Sequence, residues 1–209
     1  MNARILIVEG TSGIGKSTLI DGLLRKYISE NKKIRSLLHL TQANTYGPLA
    51  IDEDNNTLTK EMNRTHLGNI FNLLDWLVSS LKTEHNKVKF FGIIDTLHLT
   101  HCVRPGVVAW NDIRDYDSRF KSIECKLVFM SAQPKTIWGR GIVPRINENF
   151  ITNYGKKFGN NSNAIHQYFI NEQTTLEKLV ASSQLNKIYI QAEDDLEKNI
   201  EISYNFWVS

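Results

Sequence analysis

Gly10, Gly15, Lys16 and Ser17 are the residues whose types and spacing specify chemistry most directly. They belong to Gly10-Thr11-Ser12-Gly13-Ile14-Gly15-Lys16-Ser17, which satisfies G-x-x-x-x-G-K-[ST] at every fixed position. Glycines let successive backbone N–H groups close around an anion, and the N-terminus of a following helix adds partial positive charge. In such a loop Lys16 reaches the β- and γ-phosphates of a nucleoside triphosphate, and the Ser17 hydroxyl ligates Mg²⁺.

That loop needs a strand before it and a helix after it. Ile5-Leu6-Ile7-Val8 is a short apolar, β-branched run that reads as a buried parallel strand. Leu19, Ile20, Leu23, Leu24 and Tyr27 follow at helical spacing. Further along, strands are expected at Ile34–Leu40, Val88–Ile94, Lys126–Met130 and Lys187–Ile190. A loop carrying the acidic tip Asp52-Glu53-Asp54 precedes a long helix from about Lys60 to Thr83, with Leu67, Ile70, Phe71, Leu74, Leu77, Val78 and Leu81 at the helical period. Irregular or helical residues are expected from Leu97 to Ser122, and helices near Glu148–Lys157, over Asn163–Ser182, and after an N-cap at Asp194. The alternation predicts a three-layer α/β/α sandwich around a mainly parallel five-stranded sheet, forming one domain over residues 1–209 with a lid segment at about 133–147.

A second signal faces the same crevice. Phe90-Phe91-Gly92-Ile93-Ile94-Asp95 is an apolar strand ending in a carboxylate, a hard oxygen donor for the Mg²⁺ of a triphosphate, directly or through water. Glu9, immediately before the first glycine, could orient metal-bound water, hold a substrate-site arginine, or simply end a strand.

Bulk properties narrow the class. The 209 residues carry 41% hydrophobic and 22% charged residues and a net charge of +3, with no basic run long enough for a nucleic-acid track. Two cysteines, Cys102 and Cys125, argue against a disulfide framework and fit a reducing, cytoplasmic setting. No segment has the length of a signal peptide or membrane span, and there is no internal repeat.

Val8-Glu9-Gly10-Thr11-Ser12-Gly13-Ile14-Gly15-Lys16-Ser17-Thr18 resembles the opening of thymidylate kinases and deoxynucleoside kinases, in the P-loop nucleoside/nucleotide kinase group. Phe71-Asn72-Leu73-Leu74-Asp75-Trp76 is similar to that group's Phe-x-x-x-Asp-Arg substrate helix, and Ile94-Asp95-Thr96-Leu97 to its aspartate–arginine pair. Ile137-Trp138-Gly139-Arg140, with Arg145 beyond, is similar to its arginine-bearing lid. Two arginines of the pattern are replaced, by Trp76 and Thr96, which argues against thymidylate itself; Arg104 or Arg64 could compensate. The second strand lacks a terminal carboxylate, leaving His39, Gln42 or Glu53 as bases for a hydroxyl acceptor.

The resemblance implies an ATP- and Mg²⁺-dependent phosphotransferase acting on a nucleoside or nucleotide. Gly10 to Gly15, Lys16, Ser17 and Thr18 would cradle the triphosphate, Asp95 would share the metal, and Arg140 and Arg145 would close over the transferring group. Gln42, Tyr46, His98, Arg104 and Glu9 are the acceptor-side candidates. Trp76 reads as packing, Asp112, Asp115 and Asp117 as a salt-laced surface, and Tyr168-Phe169 and Phe206-Trp207 as core or homodimer contacts. His98 and His101 could share a helix face, yet a zinc site would need further ligands. The alternative is a nucleotide-binding regulatory protein with little turnover. A GTPase is disfavoured, because neither Asn31-Lys32-Lys33-Ile34 nor Asn186-Lys187-Ile188-Tyr189 completes Asn-Lys-x-Asp.

Overall fold

The computed structural model describes residues 3–30, 36–47, 49, 57–81, 89–104, 108–145, 158 and 161–209. In chain order these form β1 (Ala3–Glu9), α1 (Lys16–Glu30), β2 (Leu37–Leu40), a short α2 (Gln42–Thr45), α3 (Lys60–Ser80), β3 (Phe90–Asp95), α4 (His98–Val103), α5 (Trp110–Ser122) and β4 (Lys126–Ser131). One turn, α6 (Pro134–Thr136), then continues through a π-helical turn (Ile137–Ile142) and a 3₁₀ turn (Val143–Arg145). The chain ends with α7 (Ser162–Ser182), β5 (Asn186–Gln191) and α8 (Leu196–Val208).

The five strands lie in the order β2-β3-β1-β4-β5, and every pair is parallel. The chain first builds outward on the β3 side of β1 and then crosses to the β4 side. A crevice therefore opens at the carboxyl end of β1. The register sets Val8 beside Asp95 and Glu9 beside Phe129, so the first strand delivers the glycine loop directly between two strand ends.

Period-two alternation divides the core between the faces. Ile5, Ile7, Ile94, Leu127 and Phe129 pack with α3, α5 and the C-terminal half of α7. Leu6, Val8, Ile93, Val128 and Met130 pack with α1, α8 and the N-terminal half of α7. Helix α7 thus contributes Ile165 and Phe169 to one core and Leu176 and Val180 to the other.

Several elements depart from the sequence reading. The cap of α8 is Asp195, which accepts from Lys198 N at 2.9 Å, rather than Asp194. Trp76 is 65% exposed: the inward face of α3 is Leu67, Ile70, Phe71, Leu74 and Val78, and residue 76 falls on the opposite side of a 3.6-residue helix. Asp117 is fully buried, although Asp112 and Asp115 do form surface ion pairs with Lys60 and Arg64. The acidic tip 52–54 and the helix expected at 148–157 lie outside the described residues.

Trp207 is fully buried, with its ring against Tyr27, Phe91 and Tyr204 and its indole N–H donated to the Arg4 carbonyl at 3.2 Å. It ties the last helix to the strand that carries the glycine loop. Trp207→Ala removes both the packing and the bond, and urea unfolding is expected to show a loss of about 3–5 kcal/mol.

Candidate functional site

The glycine loop spans the gap between β1 and α1, with its backbone held against β4 and the π-helical turn. Gly10 has φ +151°, and a Cβ there would stand 2.4 Å from the Met130 carbonyl oxygen. Gly13 has φ +80°, and its Cβ would stand 2.3 Å from the Cα of Gly141. At both positions the backbone passes too close to its neighbour for any side chain. Lys16 is 7% exposed and donates to the carbonyls of Gly10 at 2.7 Å and Thr11 at 2.9 Å. Burial pushes its pKa down, and Arg104 acts the same way, whereas Asp95, Glu172 and Glu9 oppose the shift. Ser17 and Thr18 are exposed in the first turn of α1.

Asp95 ends β3 with one carboxylate oxygen accepting from the Thr96 hydroxyl at 2.9 Å. Thr96 itself sits at φ +64°, a strained conformation for a β-branched residue. Its N–H, donated to Val8 O at 2.9 Å, helps hold it there. A hydroxyl from Ser17 and a carboxylate oxygen from Asp95 are the hard donors that Mg²⁺ takes, so the residues present fit that ion.

Glu9 is fully buried and accepts from Leu97 N at 2.9 Å and Thr100 Oγ1 at 2.6 Å. It therefore anchors the start of α4 to the end of β1. Arg104, at the far end of α4, comes back to the glycine loop. Its guanidinium bonds the Ser12 hydroxyl and forms a buried ion pair with Glu172 of α7, at 3.2 Å from Nε and 3.3 Å from Nη2. Glu172 also accepts from the Thr11 hydroxyl. Burial acts to raise the Glu172 pKa, but Arg104, Thr11 and Lys16 outweigh it and hold the carboxyl below its ordinary range. Beside it, Gln173 pairs with both backbone groups of Ala132, accepting from N at 2.8 Å and donating to O at 2.9 Å.

His98 is fully buried, with Nε2 3.0 Å from Asp117 Oδ1 and its ring tilted against Phe120. Ser183 Oγ and Gln184 N also donate to Asp117, which makes this a core anchor between α4, α5 and the end of α7. Tyr46 is buried with its ring edge-on to His101, and Gln42 is half-buried at the start of α2. Phe71 of the substrate-helix pattern lies in the core against Phe120. Arg64 makes a two-bond pair with Asp115 on the outer face. Arg140 donates to Ala192 O at 2.8 Å, beyond the end of β5. The side chain of Arg145 and all of Glu53 lie outside what is described.

A buried polar cluster joins α2, α3 and α4. His66 Nε2 and His101 Nε2 both approach the Thr45 carbonyl, at 2.8 and 3.1 Å, and His101 Nδ1 stands 2.9 Å from the Asn63 amide. A carbonyl only accepts, so His101 places its N–H on Nε2. Desolvation, with His66 adding to it, lowers the His101 pKa to about 3. The neutral ring then requires the Asn63 NH₂ to donate to Nδ1, leaving the Asn63 amide oxygen as the end without a bonded protein partner among the described residues. Thr45 Oγ1 donates to the Asp95 carbonyl at 3.0 Å, which connects the cluster to the end of β3.

No family profile matches the chain, and no curated protein matches it by sequence. Its fold is similar to that of a solved structure, the YorR protein from Bacillus subtilis in complex with phosphorylated GDP. The TM-score is 0.60 at 14% identity, covering 98% of this chain and 95% of that chain. That likeness shows the α/β fold. Among the described residues no helix is long and apolar enough to cross a membrane. No group of three or more His, Cys, Asp or Glu side chains among them could hold a metal ion.

Glu172 and Gln173 escaped sequence reading because neither sits in a motif. The nearest signal is a Glu-Gln pair on a helix whose apolar positions switch faces around it.

The cluster generates a pH prediction. The folded His101 pKa lies below the ordinary 6.5, so the unfolded chain takes up the proton first. This contribution is intact above about pH 6.5 and is lost as pH falls toward about 3, at up to about 1.4 kcal/mol per unit. His101→Gln is expected to flatten the fall of the urea midpoint between about pH 6 and pH 4, relative to the unmodified chain.

Proposed function

We propose that this chain is an ATP-dependent small-molecule kinase that transfers the γ-phosphate to a nucleotide or nucleoside. The observation that carries the reading is the placement of Lys16. Its buried amine rests on the carbonyls of its own glycine loop, at the carboxyl end of a parallel sheet, with Asp95 the strongest opposing charge on it. A nucleotide bound to a protein of similar fold supports the reading as an analogy.

Phosphoryl transfer asks mainly for positioning and charge neutralisation. In this reading Lys16 leaves the Gly10 and Thr11 carbonyls for the β- and γ-phosphate oxygens, which restores the stabilisation that burial removed from its charged form. The loop amides and the N-terminus of α1 orient the same oxygens. Ser17 and Asp95 would hold Mg²⁺, which when bound supplies neutralisation of the phosphate charge. Arg104 at the Ser12 hydroxyl offers a planar, permanently charged donor set where donor and acceptor would meet. Arg140 and Arg145 belong to a lid segment at about 133–147. For Arg140 to act there, it would give up Ala192.

ADP formation from ATP–Mg²⁺ is the test, measured across nucleosides, nucleoside monophosphates and small sugars. One acceptor is expected to stimulate turnover. Lys16→Ala is expected to abolish that stimulation and to weaken ATP–Mg²⁺ binding by about 10- to 100-fold, the scale of one charge-assisted bond. Tight ATP binding with no stimulation by any acceptor would overturn the kinase reading in favour of a regulatory nucleotide-binding protein.

A further inference from the structure

We infer that Glu172 of α7 is a positioning residue of the phosphate site, setting the Arg104 guanidinium at the mouth of the glycine loop and fixing that loop through Thr11. This rests on the phosphate-binding reading above.

Glu172 is 3% exposed, and its bonds among the described residues lead to the loop or to Arg104. Thr11 is fully buried, so its hydroxyl bonds Glu172 out of contact with solvent. Arg104 donates two bonds to Glu172 on one side and one to the Ser12 hydroxyl on the other, which leaves its plane little freedom. Lys16 and Arg104 are two cations in one cradle, and each disfavours the other; Glu172 offsets that repulsion at Lys16.

A merely structural role for this pair is a poor account. Helix α7 is already held by Ile165, Phe169, Leu176 and Val180, and a buried ion pair commonly adds no stability over apolar packing. Its place is also rigid. The adjacent Gln173 grips both backbone groups of Ala132, which fixes the register of α7 against the end of β4. Glu172 therefore meets the loop at the point where α7 passes from one core to the other.

The test uses the full chain, with inorganic tripolyphosphate as probe, titrated calorimetrically and paired with thermal melting of each empty variant. Glu172→Gln keeps the shape and removes the charge. It is expected to weaken tripolyphosphate binding by about tenfold, Arg104→Lys by a similar factor, and the double variant by no more than either alone. Additive losses would overturn the inference, because they mean that the two residues act separately. Tighter binding in Glu172→Gln would also overturn it, showing that the carboxylate competes for Arg104. So would a lowered melting temperature with unchanged affinity, which marks a structural role. Should Glu172→Gln fail to fold, Thr11→Val is read instead; a loss of affinity that disappears in an Arg104→Lys background supports the inference, and no loss overturns it. Lys16→Ala separates the two levels: unchanged tripolyphosphate affinity in that variant sinks the phosphate-site reading itself.

Discussion

A carboxylate taken out of water must be met by donors in fixed directions, and two such groups hold the crevice of this fold together. Glu9 closes β1 and receives the start of α4; Glu172 receives the end of that region through Arg104 and the glycine loop through Thr11. Helix α4 has only six residues and could not persist on propensity alone. It is held by a carboxylate at each end and by Leu97 and Leu99 in the core. The histidines of α4 then turn inward, His98 to Asp117 and His101 to Asn63 and Thr45.

Local signals were enough to read the elements around the glycine loop. The glycine loop, its flanking strand and helix, and the strand ending at Asp95 each depend on residues near one another, so periodicity and turn chemistry expose them. Alternation implies a parallel sheet, but the strand order β2-β3-β1-β4-β5 is visible only in the structure. The long-range partnerships are different. Thr11 and Glu172 are separated by 161 positions, and no window of sequence brings them together. Asp117 reads as surface charge because arginines flank it, yet helix phase turns it inward to His98 and Ser183. Trp76 fails in the opposite direction: a large apolar residue on an amphipathic helix looks like core until the phase of its neighbours is counted.

The two walls of the crevice differ in electrical character. Around the loop, Lys16, Arg104, Asp95, Glu9 and Glu172 act on one another through low-dielectric surroundings. Across it, α2 and α3 contribute the Thr45 carbonyl and the Asn63 amide, packed on the His101 imidazole of α4, which is kept uncharged down to about pH 3. Arg64, the basic residue of α3 that could have changed this, is drawn to Asp115 on the outer face. Charge is concentrated around the glycine loop, and neutral hydrogen bonding dominates around the histidine cluster.

The meeting of Gly13 and Gly141 has a consequence for how the protein can change over generations. A methyl group at residue 13 would overlap the backbone of 141, and one at 141 would stand 3.3 Å from the Ser12 carbonyl. Residue 13 cannot acquire a side chain while the π-helical turn stays put, whereas at 141 the Ser12 carbonyl would have to give by only a few tenths of an ångström. A lineage that enlarges residue 13 must first re-path the π-helical turn, so a change there is the gateway through which variation at the loop's apex would have to pass.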